Sequence, residues 1–295
     1  MPARPNDIVV ISSHVSHGCV GNRAIAFALE RLGFRVWLVP TIILPHHPGH
    51  GPVDPIALPD AAFADHLKTL SALPAIANIG AVLSGYLTTP AQADAVARFV
   101  GDVKAARSDA VYLCDPVIGD AGALYVDEAI AAAIRDILIP LADIVTPNGF
   151  EAAWLAGLDP GEDDPQPDVQ EIASRLGAGL TVITSQPALM RGQIANALIE
   201  KNTVTLAEHR RVESEVKGAG DLFAAMFLGR LMQGHNARAA LQMASATVAD
   251  VVTVTARSRN GDLELAKMQQ AITMPQAQVM VRSLAAARDR TPQPL

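Results

Sequence analysis

The sequence predicts a three-layer α/β fold, with a mostly parallel central sheet, helices on both faces and an antiparallel edge hairpin. Three observations carry this. Runs such as 8–12, 81–85 and 181–184 are apolar at successive positions, as strands buried on both faces are. Stretches with helical spacing follow them, the alternation of an α/β chain. One segment departs from this: 194–200 and 203–209 alternate with period two about Lys201-Asn202, as a hairpin does.

In chain order, the strand at 8–12 leads into a helix at about 21–32, then a strand at 36–43 and a helix at 61–70. After the strand at 81–85, Pro90 opens a helix that runs to about 106, since proline suits a first helical turn. Strands follow at 111–115, 143–146 and 181–184, and then the hairpin. A largely buried helix starts near Gly218, and two more are expected at 237–253 and 261–273. No repeat, low-complexity tract or linker interrupts the pattern. Residues 1–275 are therefore expected as one domain, and 276–295 as a tail frayed near Pro292 and Pro294.

Half of the 295 residues are hydrophobic and 18% are charged, which provides for a large core and argues against disorder. Aromatics make up only 4%, so Ala, Val, Leu and Ile must build that core. A net charge of -7, with no basic cluster interleaved with aromatics, argues against nucleic-acid binding. Cys19 and Cys114 lie far apart in apolar contexts and read as reduced, buried thiols. The first apolar run is too short for a signal sequence, and none approaches membrane-spanning length. A soluble, cytoplasmic protein is expected.

The most informative stretch is Lys217-Gly218-Ala219-Gly220-Asp221-Leu222-Phe223. A helix that starts on Gly-Ala-Gly leaves its free N–H groups uncovered, and these form an anion site with the positive end of the dipole. Asp221 in the first turn is a poor phosphate ligand but a suitable base for a hydroxyl that attacks a phosphoryl group. An ordinary capping carboxylate on a Gly-rich turn is the alternative. Neither a Walker A sequence nor a dinucleotide fingerprint is present, so phosphate binding falls to this helix. Ligands of open α/β sheets sit beyond the carboxyl ends of the strands. That rim gathers Ser12, His14, Tyr86, Asp115, Asp120, Asn148, Glu151, Thr184 and Ser185.

Four phrases occur in order: Ser84-Gly85-Tyr86-Leu87, Cys114-Asp115-Pro116-Val117-Ile118-Gly119-Asp120, Ala142-Asp143-Ile144-Val145-Thr146-Pro147-Asn148-Gly149-Phe150-Glu151, and Gly218-Ala219-Gly220-Asp221-Leu222-Phe223. With Ser12-Ser13-His14-Val15-Ser16-His17-Gly18 and Gly21-Asn22, they resemble the pyridoxal kinases of the ribokinase-like superfamily over about 8–253. The resemblance implies a ribokinase-like fold and phosphorylation of the 5′-hydroxymethyl of pyridoxal, with pyridoxine and pyridoxamine as further substrates. It implies Asp221 as the base and Gly218, Ala219 and Gly220 as the anion hole. It places Asp120 and Glu151 near Mg²⁺, directly or through water, with Asn148 close by. Thr146, Thr184 and Ser185 match positions near the ATP phosphates, and Ser12, His47 and Tyr86 match positions in the vitamin pocket. MgATP, a monovalent cation such as K⁺, and a homodimer complete what the family implies.

The match has departures. Leu44-Pro45-His46-His47-Pro48 replaces an aromatic–Ser–Asn–His–Thr phrase, so the ring that could stack on a pyridine is absent. His46, His47 and His50 also allow a metal-binding reading of that loop. The segment 120–125 is short and reads as a reduced lid over ATP. Lys217 stands where Val or Thr is usual, placed either to assist the phosphates or to reach solvent. Two rivals remain. A hydroxymethylpyrimidine kinase would have a Gln near Ile43, and a sugar kinase a longer acidic N-terminal signature. A non-catalytic vitamin B6 binder would not need Asp221.

Overall fold

The structure, a computed structural model, describes residues 7–120, 122–158, 168–201, 203–213, 216–258 and 261–285. Ala121, Asn202 (expected in the hairpin turn) and the end of the tail with Pro292 and Pro294 lie outside the described residues.

Strands β1 (Asp7–Val15) and β2 (Arg35–Leu44) flank helix α1 (Asn22–Arg31), and β3 (Ile56–Ala57) precedes α2 (Asp60–Ser71). Next come β4 (Ile79–Ser84), α3 (Pro90–Ala106), β5 (Val111–Cys114) and the two-stranded hairpin β6 (Gly119–Asp120) and β7 (Ala123–Leu124). Helix α4 (Glu128–Ala133), β8 (Ile144–Val145), α5 (Gly149–Leu155) and α6 (Val169–Leu176) lead to β9 (Leu180–Pro187), β10 (Gln193–Glu200) and β11 (Thr203–Arg210). The chain closes with α7 (Ala219–Met232), α8 (Ala237–Thr255), α9 (Gln269–Thr273) and β12 (Met280–Ala285).

Ten strands form one sheet in the order β12-β11-β10-β9-β8-β5-β4-β1-β2-β3. Pairs from β2 through β1, β4, β5, β8 to β9 are parallel, and β10, β11 and β12 run antiparallel. Alternation along β1 shows the three layers. Val9 and Ile11 pack in the core with Phe63, Phe99, Ile130 and Leu155, whereas Ile8 and Val10 pack with Ile25, Leu29, Phe227 and Leu241. Helix α7 is buried from Leu222 through Arg230, as its nearly uninterrupted apolar sequence requires.

Two expectations need correction. Helix is confined to Gln269–Thr273 within the expected 261–273. Gly261 takes φ +69° and accepts a bond from the Lys217 N–H, while Leu263 and Leu265 are buried with a spacing of two, which is not a helical face. The hairpin β10–β11 is not the edge: Met280–Ala285, expected in the tail, pairs outside β11. It is anchored where Arg282 meets the buried carboxylate of Glu208 at 3.0 Å. Among the described residues, no helix is long and apolar enough to cross a membrane.

Candidate active site

Helix α7 opens as its sequence requires. Gly218 is the N-cap residue with φ +86°, and a Cβ there would stand 2.6 Å from the Cys19 carbonyl oxygen. Only glycine fits. Nothing lies within 4 Å of where a Gly220 Cβ would be, and Gly220 is exposed, so the helix start faces open space. Asp221 lies in the first turn, and its Oδ2 accepts the Gly21 N–H at 2.8 Å. Gly21 itself has φ +53° and leaves no room for a Cβ beside the Ser13 carbonyl. Burial pushes Asp221 up to about 6, against the opposing pull of the Gly21 bond.

Behind Asp221 lies an acidic group. The Thr146 hydroxyl donates to Asp115 Oδ1 at 2.7 Å, so Thr146 spends its side chain on that carboxylate. Burial, then the charge of Asp221, raises Asp115. Glu151 accepts from the N–H groups of Ile118 (3.0 Å) and Gly119 (3.4 Å) with one oxygen and of Asn148 (2.8 Å) with the other. Asn148 returns the bond to the Glu151 N–H, a complete capping box on α5, and its Nδ2 donates to the Gly119 carbonyl at 2.8 Å. Asn148 and Glu151 thus fix the β6–β7 hairpin that carries Asp120. Burial, then Asp115, raises Glu151. Asp120 is exposed at the hairpin's end. Partial burial, then the charges of Glu151, Asp115, Asp221 and Asp120, raises the hydroxyl of Tyr125, whose side chain is otherwise exposed.

Among the described residues, no three His, Cys, Asp or Glu side chains converge as a ready ligand set. Mg²⁺ does not need one, since it takes one or two carboxylates and completes its shell with water and phosphate oxygens. Burial and neighbouring negative charge raise Asp115 and Glu151, and a divalent cation nearby would relieve that charge. Asp120, exposed, could offer such a carboxylate, whereas Glu151 behind it is buried with both oxygens held by N–H groups. Glu151→Gln should lower the melting temperature, because an amide NH₂ would face the Asn148 N–H. If Glu151 also serves the ion, the variant should need more Mg²⁺ for half-maximal rate. An unchanged Mg²⁺ titration with a lowered melting temperature would confine Glu151 to holding the hairpin.

At the other end of the rim, the buried Ser12 hydroxyl accepts the Tyr86 N–H at 3.2 Å, and a Cβ on Gly85 would come within 2.6 Å of it. Ser12 therefore holds the loop that carries Tyr86. Tyr86 packs against a small apolar cluster of Val15, Val20, Ile42 and Leu44. Leu44 thus forms part of the wall that Tyr86 completes. His47 caps a short turn, with Nδ1 accepting the Gly49 N–H at 2.9 Å, and burial, followed by Lys217, lowers its pKa. The ring of His17 lies 6.3 Å from that of His50, and His46 and His47 lie 6.2 and 6.4 Å from it. Asp262, its side chain 12% exposed, accepts from His50 at 3.0 Å and pairs through its backbone with Lys217. Lys217 is exposed.

Thr184 reaches the rim through a bridge to Asn148, and its N–H donates to the Pro147 carbonyl at 2.9 Å. Ser185 is exposed beside it with φ +59°. Cys114 is buried, with its thiol pushed up to about 12 by burial, but Cys19 is only half-buried. Sequence reasoning missed the Gly21 N–H on Asp221, the Asp262 hub and Asn196 behind Ser185. Gly21 stood in a quoted phrase, yet its contact is set by tertiary packing; Asp262 and Asn196 carry no local signal.

The mostly parallel sheet thus carries a carboxylate, Asp221, in the first turn of a bare, glycine-started helix. The phosphomethylpyrimidine kinase family model matches residues 60–265. A pyridoxine/pyridoxal/pyridoxamine kinase of Bordetella bronchiseptica is 37% identical over 274 residues, covering 89% of this chain and 94% of its own. A pyridoxal kinase of Corynebacterium diphtheriae is 31% identical over 282 residues, covering 95% of this chain and 100% of its own. The structure of the Leishmania donovani pyridoxal kinase in complex with ADP and pyridoxamine is similar at a TM-score of 0.85 and 27% identity, over 95% of this chain and 99% of that one. The chain belongs to the phosphomethylpyrimidine kinase family and, within it, to the pyridoxal kinases.

Proposed function

We propose that the chain is an ATP-dependent kinase that phosphorylates the 5′-hydroxymethyl of pyridoxal, and of pyridoxine and pyridoxamine. One observation carries the reading: Asp221 sits in the first turn of an uncovered helix start, held at 2.8 Å by the Gly21 N–H. That bond fixes one carboxylate oxygen and leaves the other for the substrate hydroxyl. The same helix start offers its N–H groups, with Gly218, Ala219 and Gly220, to the charge that develops on the transferring phosphoryl group. Thr184 and Ser185 line the phosphate end, over Thr146 and Asn148, and Lys217 adds a cation beside the helix start. Tyr86, His47 and the Ser12-held loop enclose the ring end. Asp120, with Glu151 behind it, would hold Mg²⁺, which neutralises phosphate charge. A monovalent cation, a homodimeric state and a cytoplasmic location belong to the same reading. The kinase unit is one domain, whose sheet extends to residue 285.

A coupled assay with MgATP across pyridoxal, pyridoxine, pyridoxamine, hydroxymethylpyrimidine and ribose tests the proposal. Turnover confined to the three pyridines is expected. Preference for hydroxymethylpyrimidine, the substrate class of the matching family model, would move the assignment within the family. Binding of pyridoxal without turnover of any alcohol would make the protein a carrier.

The pH profile follows from Asp221. A base must be ionised, so kcat/KM with pyridoxal should fall as the pH drops through about 6. The sign for stability is opposite. An acid whose folded pKa is raised binds more protons in the native state, so its contribution falls as the pH rises from about 4 towards 6. An acid limb near 4 instead would mean that water or the bound nucleotide changes the surroundings of Asp221.

A further inference from the structure

We infer that Asn196 is a positioning residue for the nucleotide end of the site, holding Ser185 in the backbone conformation that presents it at the rim. The inference rests on the kinase reading above. Ser185 and Lys201 are the two described non-glycine residues with positive φ, and Lys201 lies in a hairpin turn. Ser185 lies instead within β9. The β9–β10 ladder slips there: Ala195 pairs with Gln186 and Ala197 with Ile183, so Thr184 and Ser185 face Asn196 alone. Two residues against one make a bulge, which re-aims a side chain and frees an N–H from the ladder. The Ser185 N–H donates to Asn196 Oδ1 at 3.3 Å.

Asn196 is 7% exposed, and its Nδ2 donates to the Ser245 hydroxyl of α8 at 2.9 Å. The Ser185 N–H, a donor only, requires the amide oxygen on its side, and the Ser245 hydroxyl, which can accept, then meets the amide nitrogen. From the other side, the Thr184 N–H is taken by Pro147, and Gln186 Nε2 donates to the Thr184 carbonyl while packing on Gly149 at the start of α5. The bulge is clamped between α5 and β10. A left-handed serine persists only where its surroundings over-determine it. Without the Asn196 acceptor, an extended backbone becomes the cheaper choice for Ser185, and its hydroxyl leaves the rim.

The test is a double-mutant cycle on Asn196→Leu and Ser185→Gly, with KM measured separately for ATP and pyridoxal and ADP affinity by calorimetry. Asn196→Leu should raise the KM for ATP about fivefold to tenfold and leave that for pyridoxal within about twofold. In the Ser185→Gly background the same change should raise it by less than about twofold, because glycine takes positive φ unaided. Equal rises in both backgrounds, or parallel rises in both KM values, would overturn the inference. Should Asn196→Leu fail to fold, Ser245→Ala serves instead. It should raise the KM for ATP about twofold to fivefold, and no change would overturn the inference. A wild-type protein that binds ADP but phosphorylates nothing refutes the kinase reading, and the ADP affinities still decide the role of Asn196. A wild-type protein that does not bind ADP overturns both.

Discussion

Replacing Asp221 with asparagine is expected to leave a folded protein that binds both substrates and turns over almost nothing. Asn keeps the volume and an oxygen to accept the Gly21 N–H, so the start of α7 should hold its place. It cannot take the proton of the substrate hydroxyl. General-base assistance contributes about 10²–10⁴-fold, and kcat should fall by that factor. ATP affinity should hold or rise slightly, since a negative charge near the γ-phosphate is gone. The acid limb of the pH profile should vanish from the residual activity. A variant that turns over pyridoxal at near wild-type rate would remove Asp221 from the mechanism.

The second large effect is expected from Gly218→Ala. The added Cβ meets the Cys19 carbonyl at 2.6 Å, with Val20 and Leu263 side chains at 3.1 and 3.2 Å, and the backbone sits at φ +86°. Left-handed backbone costs an L residue about 1–2 kcal/mol before any clash is counted. The backbone oxygen cannot swing away as a side chain could, so the first turn of α7 must move. That displaces the N–H groups and Asp221 together, and a misplaced oxyanion donor costs about 10²–10³ in rate. The melting temperature should fall by roughly 5–10 °C. Gly220→Ala, whose Cβ meets open space, should melt close to wild type. Matching losses of stability in the two variants would mean that the contact with Cys19 is not what makes Gly218 necessary.

Local chemistry made much of this readable. Pro90 opens α3 and Gly218 precedes α7 because proline and glycine impose backbone rules that hold in any context. Apolar runs gave the strands β1, β4, β5 and β9, whose burial on both faces writes an unbroken signal. β12 was lost because its edge position leaves Met280 and Leu284 exposed, and an exposed strand has no apolar pattern to read. The span 261–273 was read as helix because its apolar content is right; the pairing of Asp262 with Lys217, far away in sequence, decides otherwise. In the site, residue types were legible and their work was not. Glu151 and Asn148 are legible as a quoted phrase, but nothing in the chain's local pattern says that they spend polar atoms on each other and on the β6–β7 hairpin.

The bond between Gly21 and Asp221 joins positions 200 residues apart in the chain. Its closure is a non-local event, with a loop-closure entropy that must be met before the contact offers anything in return. During synthesis the first strand and helix emerge long before the helix that carries Asp221 exists. The β1–α1 loop must wait for α7 to enter the layer beside α1. Phosphorylating activity, on the proposed role of Asp221, thus reports that assembly is complete: a fragment ending before residue 219 lacks Asp221 and its helix, whatever fraction of the sheet it has formed. Activity should recover last in refolding, after the bulk of the helical signal has returned.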